Sequence, residues 1–80
     1  MADLQIELTN PVDVIMREIA DPRMTQASVA LTYAFVMRQL GNSADYAAIN
    51  AAIGARWKGK TALTRIKEAA WKLMEARNGA

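Results

Sequence analysis

Along the chain, apolar residues fall into four groups separated by short polar breaks, and within each group the spacing is helical. Val12, Ile15, Met16 and Ile19 lie at i, i+3, i+4 and i+7, which makes one apolar stripe on a first helix. Its start is marked by Asn10 as an N-cap, by Pro11 at the first helical position and by Asp13 in the first turn. Its end is marked by Asp21-Pro22, because a residue before proline is pushed out of the helical region. A second helix is expected over 25–40, with Val29, Tyr33, Val36, Met37 and Leu40 on one stripe. Leu31 and Phe35 project off that stripe. A helix apolar on most of its circumference is normally central in its domain or lies at an interface. Burial within the monomer is the first reading for both residues, and a partner surface is the second.

Gly41-Asn42-Ser43 reads as a turn, with Gly41 ending one helix and Ser43 capping the next. The third helix is expected over about 44–57, with Tyr46, Ile49, Ile53 and Trp57 as its stripe. The fourth is expected to follow a capping Thr61 and to reach about residue 77. Leu63, Ile66, Ala70 and Leu73 face its core, with Met74 beside them. Ahead of all four, Leu4, Ile6 and Leu8 alternate with polar neighbours, which suits a short extended segment. That segment is too short to stand alone and would pack on the helices or pair with a copy of itself. The pattern therefore predicts one all-α domain over 1–80, a compact bundle of four helices with a short extended N-terminal segment.

Composition narrows the chemistry. Eighty residues without cysteine or histidine exclude disulfides, thiolate metal sites, the commonest metal ligand and the commonest general base. The carboxylates Asp13 and Glu18, or Glu68 and Glu75, form no inward pair in an apolar surround. Serine and threonine lack a histidine partner, so no enzyme, cofactor or metal is expected. The start MADLQIEL carries acids where a secretory signal would carry bases, and the longest nearly apolar run, 27–37, is too short for a bilayer. A cytoplasmic protein without membrane contact is expected. A chain this small gains from assembly, and a homodimer is expected on that ground.

One string invites an enzymatic reading. Residues 54–61, GARWKGKT, satisfy the phosphate-loop pattern G-x-x-x-x-G-K-[ST]. That loop works when a strand delivers the chain into it, and here the preceding DYAAINAAI has helical periodicity. The same letters read better as punctuation between two helices. Arg56 and Lys58 then complement a helix C-terminus, Gly59 ends the helix and Thr61 caps the next.

Charge is the remaining signal. Residues 1–40 hold three basic against five acidic residues, a net of −2; residues 41–80 hold seven against three, a net of +4. Six of those seven cations fall between 56 and 72. On a helix of about 100° per residue, Thr61, Thr64, Arg65, Glu68 and Lys72 share the face opposite the core, with Lys67 and Trp71 at one border. Lys58 and Lys60 lie in the preceding turn. In outline, 44–77 resembles the helix-turn-helix DNA-binding family, which includes small phage and mobile-element regulators. The resemblance implies that the second helix enters the major groove of double-stranded DNA. It would put Thr61, Thr64, Arg65 and Glu68 at base edges and Lys58, Lys60, Lys67 and Lys72 at the backbone. Aligned on Gly59, positions that are apolar in the family fall on the charged Arg65 and Glu68, so a longer turn is implied. Two other readings stand beside it. The basic face is an ordinary solvated one, with Glu68 and Lys72 in a favourable i, i+4 pair. Alternatively, the protein is an interaction module that binds a protein partner or itself through Leu31 and Phe35, with Leu4, Ile6 and Leu8 as a further apolar surface. Trp57 and Trp71 read as cover for the core, with Trp71 as a possible partner anchor.

Overall fold

The computed structural model describes residues 10–79; Leu4, Ile6 and Leu8, with the extended segment expected there, lie outside the described residues. Among the described residues there are four α-helices, α1 (Pro11–Ala20), α2 (Gln26–Leu40), α3 (Tyr46–Arg56) and α4 (Lys60–Gly79), with a 3-10 turn at Gly41–Ser43 between α2 and α3. The all-α bundle expected from the periodicity is the observed fold, and among the described residues there is no strand.

Local chemistry explains most helix ends. Asn10 Oδ1 accepts from Val12 N at 2.8 Å, with Pro11 at the first helical position. Thr25 Oγ1 accepts from Ser28 N at 3.2 Å and opens α2. Helix α1 closes at Asp21, whose N–H donates to the Arg17 and Glu18 carbonyls at 3.1 Å each. The Asp21 carboxylate then accepts from Arg23 N at 2.9 Å, which holds the turn into α2. Helix α2 ends at Gly41, with φ 54° and ψ −123°, backbone that favours glycine.

Two expected caps are not the ones used. Ser43 lies inside the 3-10 turn, and Asp45 caps α3 instead, accepting from Ala48 N at 3.1 Å. Thr61 lies within the first turn of α4, which already begins at Lys60. In the first case a carboxylate two residues further on offered an equally good acceptor. In the second, Gly59 at φ 121° ends the turn early enough for Lys60 to be helical.

The core collects the expected stripes. Ile15, Ile19, Val29, Tyr33, Val36, Ile49, Ile53, Ile66 and Ala70 are buried, joined by Ala30 and Ala34 on α2. Helix α2 packs on α1 on one side and most extensively on α4 on the other, while α3 packs on α1 and α4. Helices α2 and α3 face each other diagonally, with no Cα of one within 8 Å of a Cα of the other. Side chains bridge that gap. Tyr33 and Tyr46 stack with centroids 5.9 Å apart, and the Tyr33 hydroxyl donates to Asn50 Oδ1 at 2.8 Å. The Tyr46 hydroxyl donates to the Gly41 carbonyl. On the opposite side, Thr32 Oγ1 donates to Glu18 Oε1 at 2.6 Å and ties α2 to α1.

Three large apolar side chains depart from the expected burial. Leu31 is 59% exposed, Phe35 43% and Trp71 55%. The reason for the first two is the number of neighbours that four helices provide. Helix α2 is covered by α1 and α4, and among the described residues no further helix meets its third side. Ala30 and Ala34 occupy the positions that α2 does bury beside Tyr33 and Val36.

Candidate nucleic-acid interface

The string 54–61 resolves into structure residue by residue. Gly54, Ala55 and Arg56 are the last turn of α3, 57–59 connect, and Lys60 and Thr61 open α4. No strand feeds the string, so the backbone amides of a phosphate cradle are absent: those of 54–56 lie within an α-helix.

Arg56 also leaves the basic cluster. Its Nη1 donates to the Ile19 and Asp21 carbonyls at 2.7 and 2.8 Å, and its Nη2 to the Pro22 and Met24 carbonyls at 3.1 and 3.2 Å. A guanidinium is suited to this because its donors are fixed in one plane and fork outward. It satisfies carbonyls at the end of α1 and in the following turn, while the same group lies 4.6 Å from the centre of the Trp57 ring. The expectation that Arg56 serves the dipole of its own helix is therefore incomplete. It fastens α3 to the α1–α2 connection.

What remains of the cluster is arranged on α4. Ala62, Ile66 and Ala70 are buried, and Leu63, Ala69, Leu73 and Met74 pack partly against the core. Opposite them Thr61, Thr64, Arg65, Glu68 and Lys72 are all exposed, and so is Lys58 in the turn. Lys60 begins the helix, but its side chain lies outside the described set. Arg65 and Glu68 thus sit on the surface, so an alignment on Gly59, which puts both at apolar positions, does not fit, and the connection between the two helices is three residues, 57–59. Lys67 is exposed but stands to one side with Trp71, where both line a cleft toward α2 and α3.

Among the described residues, the only ion pair within 4.0 Å is Arg23 with Asp21, at 3.3 Å. The expected Glu68–Lys72 pair is therefore not made, although the spacing permits it. Exposed side chains gain little from such a contact, and it costs rotamer freedom. The consequence is electrostatic: the exposed Lys58, Arg65 and Lys72 have no carboxylate partner among the described residues. Of the carboxylates in the second half of the chain, Glu68 and, two turns further on, Glu75 lie on this face of the helix. Asp45 caps α3, and Glu75 accepts from the Trp71 indole at 3.0 Å.

Among the described residues no three Asp or Glu side chains gather as a metal site, and no helix is long and apolar enough to cross a membrane. A comparison of the chain with known protein families, characterised proteins and solved structures finds no match.

Proposed function

We propose that the protein binds double-stranded DNA through the outer face of α4. The observation that carries this reading is the exposed outer face of α4: Arg65 and Lys72, with Lys58 just ahead of the helix, are cations without an ion-pair partner among the described residues, and the helix's other side is anchored in the core. A rigidly held helix of 20 residues is long enough to lie in a major groove, and its N-terminal half carries the polar side chains. In this reading Thr61, Thr64, Arg65 and Glu68 read base edges, while Lys58, Lys60 and Lys72, with Lys67 at the border, neutralise phosphates. The chain acts as a dimer, in the manner of small phage-type regulators, so that two copies of α4 meet successive half-sites.

Fluorescence anisotropy of labelled duplex DNA tests the proposal. Four neutralised phosphates imply that affinity falls about tenfold for each doubling of salt. Arg65→Ala should reduce binding to a preferred site more than Lys72→Ala, because a base contact carries discrimination that a phosphate contact lacks. Equal, small losses from both substitutions would remove base reading from the account.

The exposure of Leu31 and Phe35 favours a second reading, a protein-interaction module that binds a partner or a copy of itself through the outer face of α2. The two residues are one turn apart and present adjacent apolar surface. Under this reading Phe35→Asp abolishes association in analytical ultracentrifugation and leaves the thermal midpoint nearly unchanged. Unfolding of the variant would show that Phe35 belongs to the core.

A further inference from the structure

Between α2, α3 and α4, on the side where α2 and α3 stand apart, the surface opens into a cleft of about 500 Å³. That volume lies within the roughly 300–1,000 Å³ usual for small-molecule sites. It exists because the α2–α3 diagonal is spanned by the Tyr33–Tyr46 stack and not by close helix packing. Its walls are aromatic and thioether: the two tyrosines, Met37, Met74 and the indole of Trp71. Trp71 stands 55% exposed at the rim, so much of its surface is free for a ring to lie against.

The polar groups choose the sign of a ligand. Both tyrosine hydroxyls donate inward, Tyr33 to Asn50 Oδ1 and Tyr46 to the Gly41 carbonyl, and offer the cleft no proton. Among the described residues, the Asn50 amide nitrogen has no hydrogen-bond acceptor and the Lys67 ammonium no ion-pair partner. Among the described residues no carboxylate lines the cleft; Glu75, four residues after Trp71, accepts from that indole. Three aromatic rings alone would suit a quaternary ammonium. Here a lysine stands among them, and a cation would meet its repulsion.

We propose that this cleft binds a small aromatic carboxylate, with its ring between Trp71 and the tyrosine pair and its carboxylate on Lys67 and Asn50. The site is separate from the DNA-binding face and stands whether or not that reading holds. It shares only Lys67, which lies at the border between the two.

The test uses three matched probes, 3-phenylpropionate, its amide and 3-phenylpropylamine, titrated into the full chain and followed by nitrogen–proton NMR. The expected result is saturable shifts at the Trp71 indole N–H and across 41–50, with the acid binding at about 1 mM or tighter. Lys67 is exposed, so the acid should exceed the amide by a modest factor, about threefold to fivefold, and Lys67→Met should erase that difference. Trp71→Ala should weaken acid and amide alike, and circular dichroism on both variants confirms that they fold. Acid and amide binding equally, the amine binding best, or shifts absent from the cleft would each overturn the proposal. So would probe affinity that falls as protein concentration rises, because a second copy would then be the occupant.

Discussion

Replacing Arg56 by alanine removes the only side chain that joins α3 to the turn between α1 and α2 by hydrogen bonds among the described residues. Four bonds of 2.7 to 3.2 Å are lost at once, three of them partly buried, together with the guanidinium contact on Trp57. A hydrogen bond from a charged donor is worth about 1.5–3 kcal/mol on its own. The four are not additive, because one guanidinium supplies them all and water reaches the vacated carbonyls in part. A net loss of about 3 kcal/mol is the reasonable figure. For 80 residues the whole stability is about 4–12 kcal/mol, so this one side chain holds a large share of it. At about 4–8 °C per kcal/mol the midpoint should drop by about 12–24 °C in a circular dichroism melt. Arg56→Lys should recover only part, because an ammonium is a compact donor that cannot fork across carbonyls on both sides of the turn. A drop of less than about 4 °C in Arg56→Ala would refute the clamp.

The glycines of 54–61 make a second, opposed pair of predictions. Gly54 is helical and a Cβ there meets nothing within 4 Å, so Gly54→Ala should stabilise by about 0.5–1 kcal/mol in urea unfolding. Gly59 has φ 121°, so Gly59→Ala should destabilise by about 1–3 kcal/mol; a phosphate cradle would need both glycines alike. Burial raises the pKa of Tyr33, with the neighbouring Tyr46 adding to the shift and the Asn50 hydrogen bond opposing it, and burial raises that of Tyr46 as well. Both folded values then exceed the ordinary 10.0, so the unfolded chain loses those protons first and stability should fall as pH rises past 10. Tyr33→Phe should flatten that alkaline limb in melts recorded against pH; an unchanged slope would count against the burial argument.

How much of this was legible in the sequence follows from the range over which each interaction acts. Asn10, Pro11, Thr25 and the Asp21-Pro22 stop act within three or four residues, and each does what its spacing implies. The buried isoleucines follow the helical period for the same reason. Ser43 and Thr61 failed as caps where a neighbouring acceptor or an early glycine gave the backbone another solution. Arg56 reaches carbonyls 32 to 37 residues earlier in the chain, and no local pattern announces that. The exposure of Leu31, Phe35 and Trp71 likewise depends on which sides of α2 and α4 find a neighbour. Periodicity orients a residue on its own helix but does not supply the helix opposite. The cleft was invisible for a related reason: it is the space left where two helices do not touch.

The central claim, that the outer face of α4 meets DNA, is tested most directly by mapping a short duplex onto the nitrogen-labelled protein by NMR at low salt. The account predicts shifts concentrated at Lys58, Thr61, Thr64, Arg65, Glu68 and Lys72 that fade as salt is raised, with Leu31 and Phe35 unmoved. Spectra that do not change with DNA, or shifts confined to the Leu31–Phe35 side of α2, would contradict it.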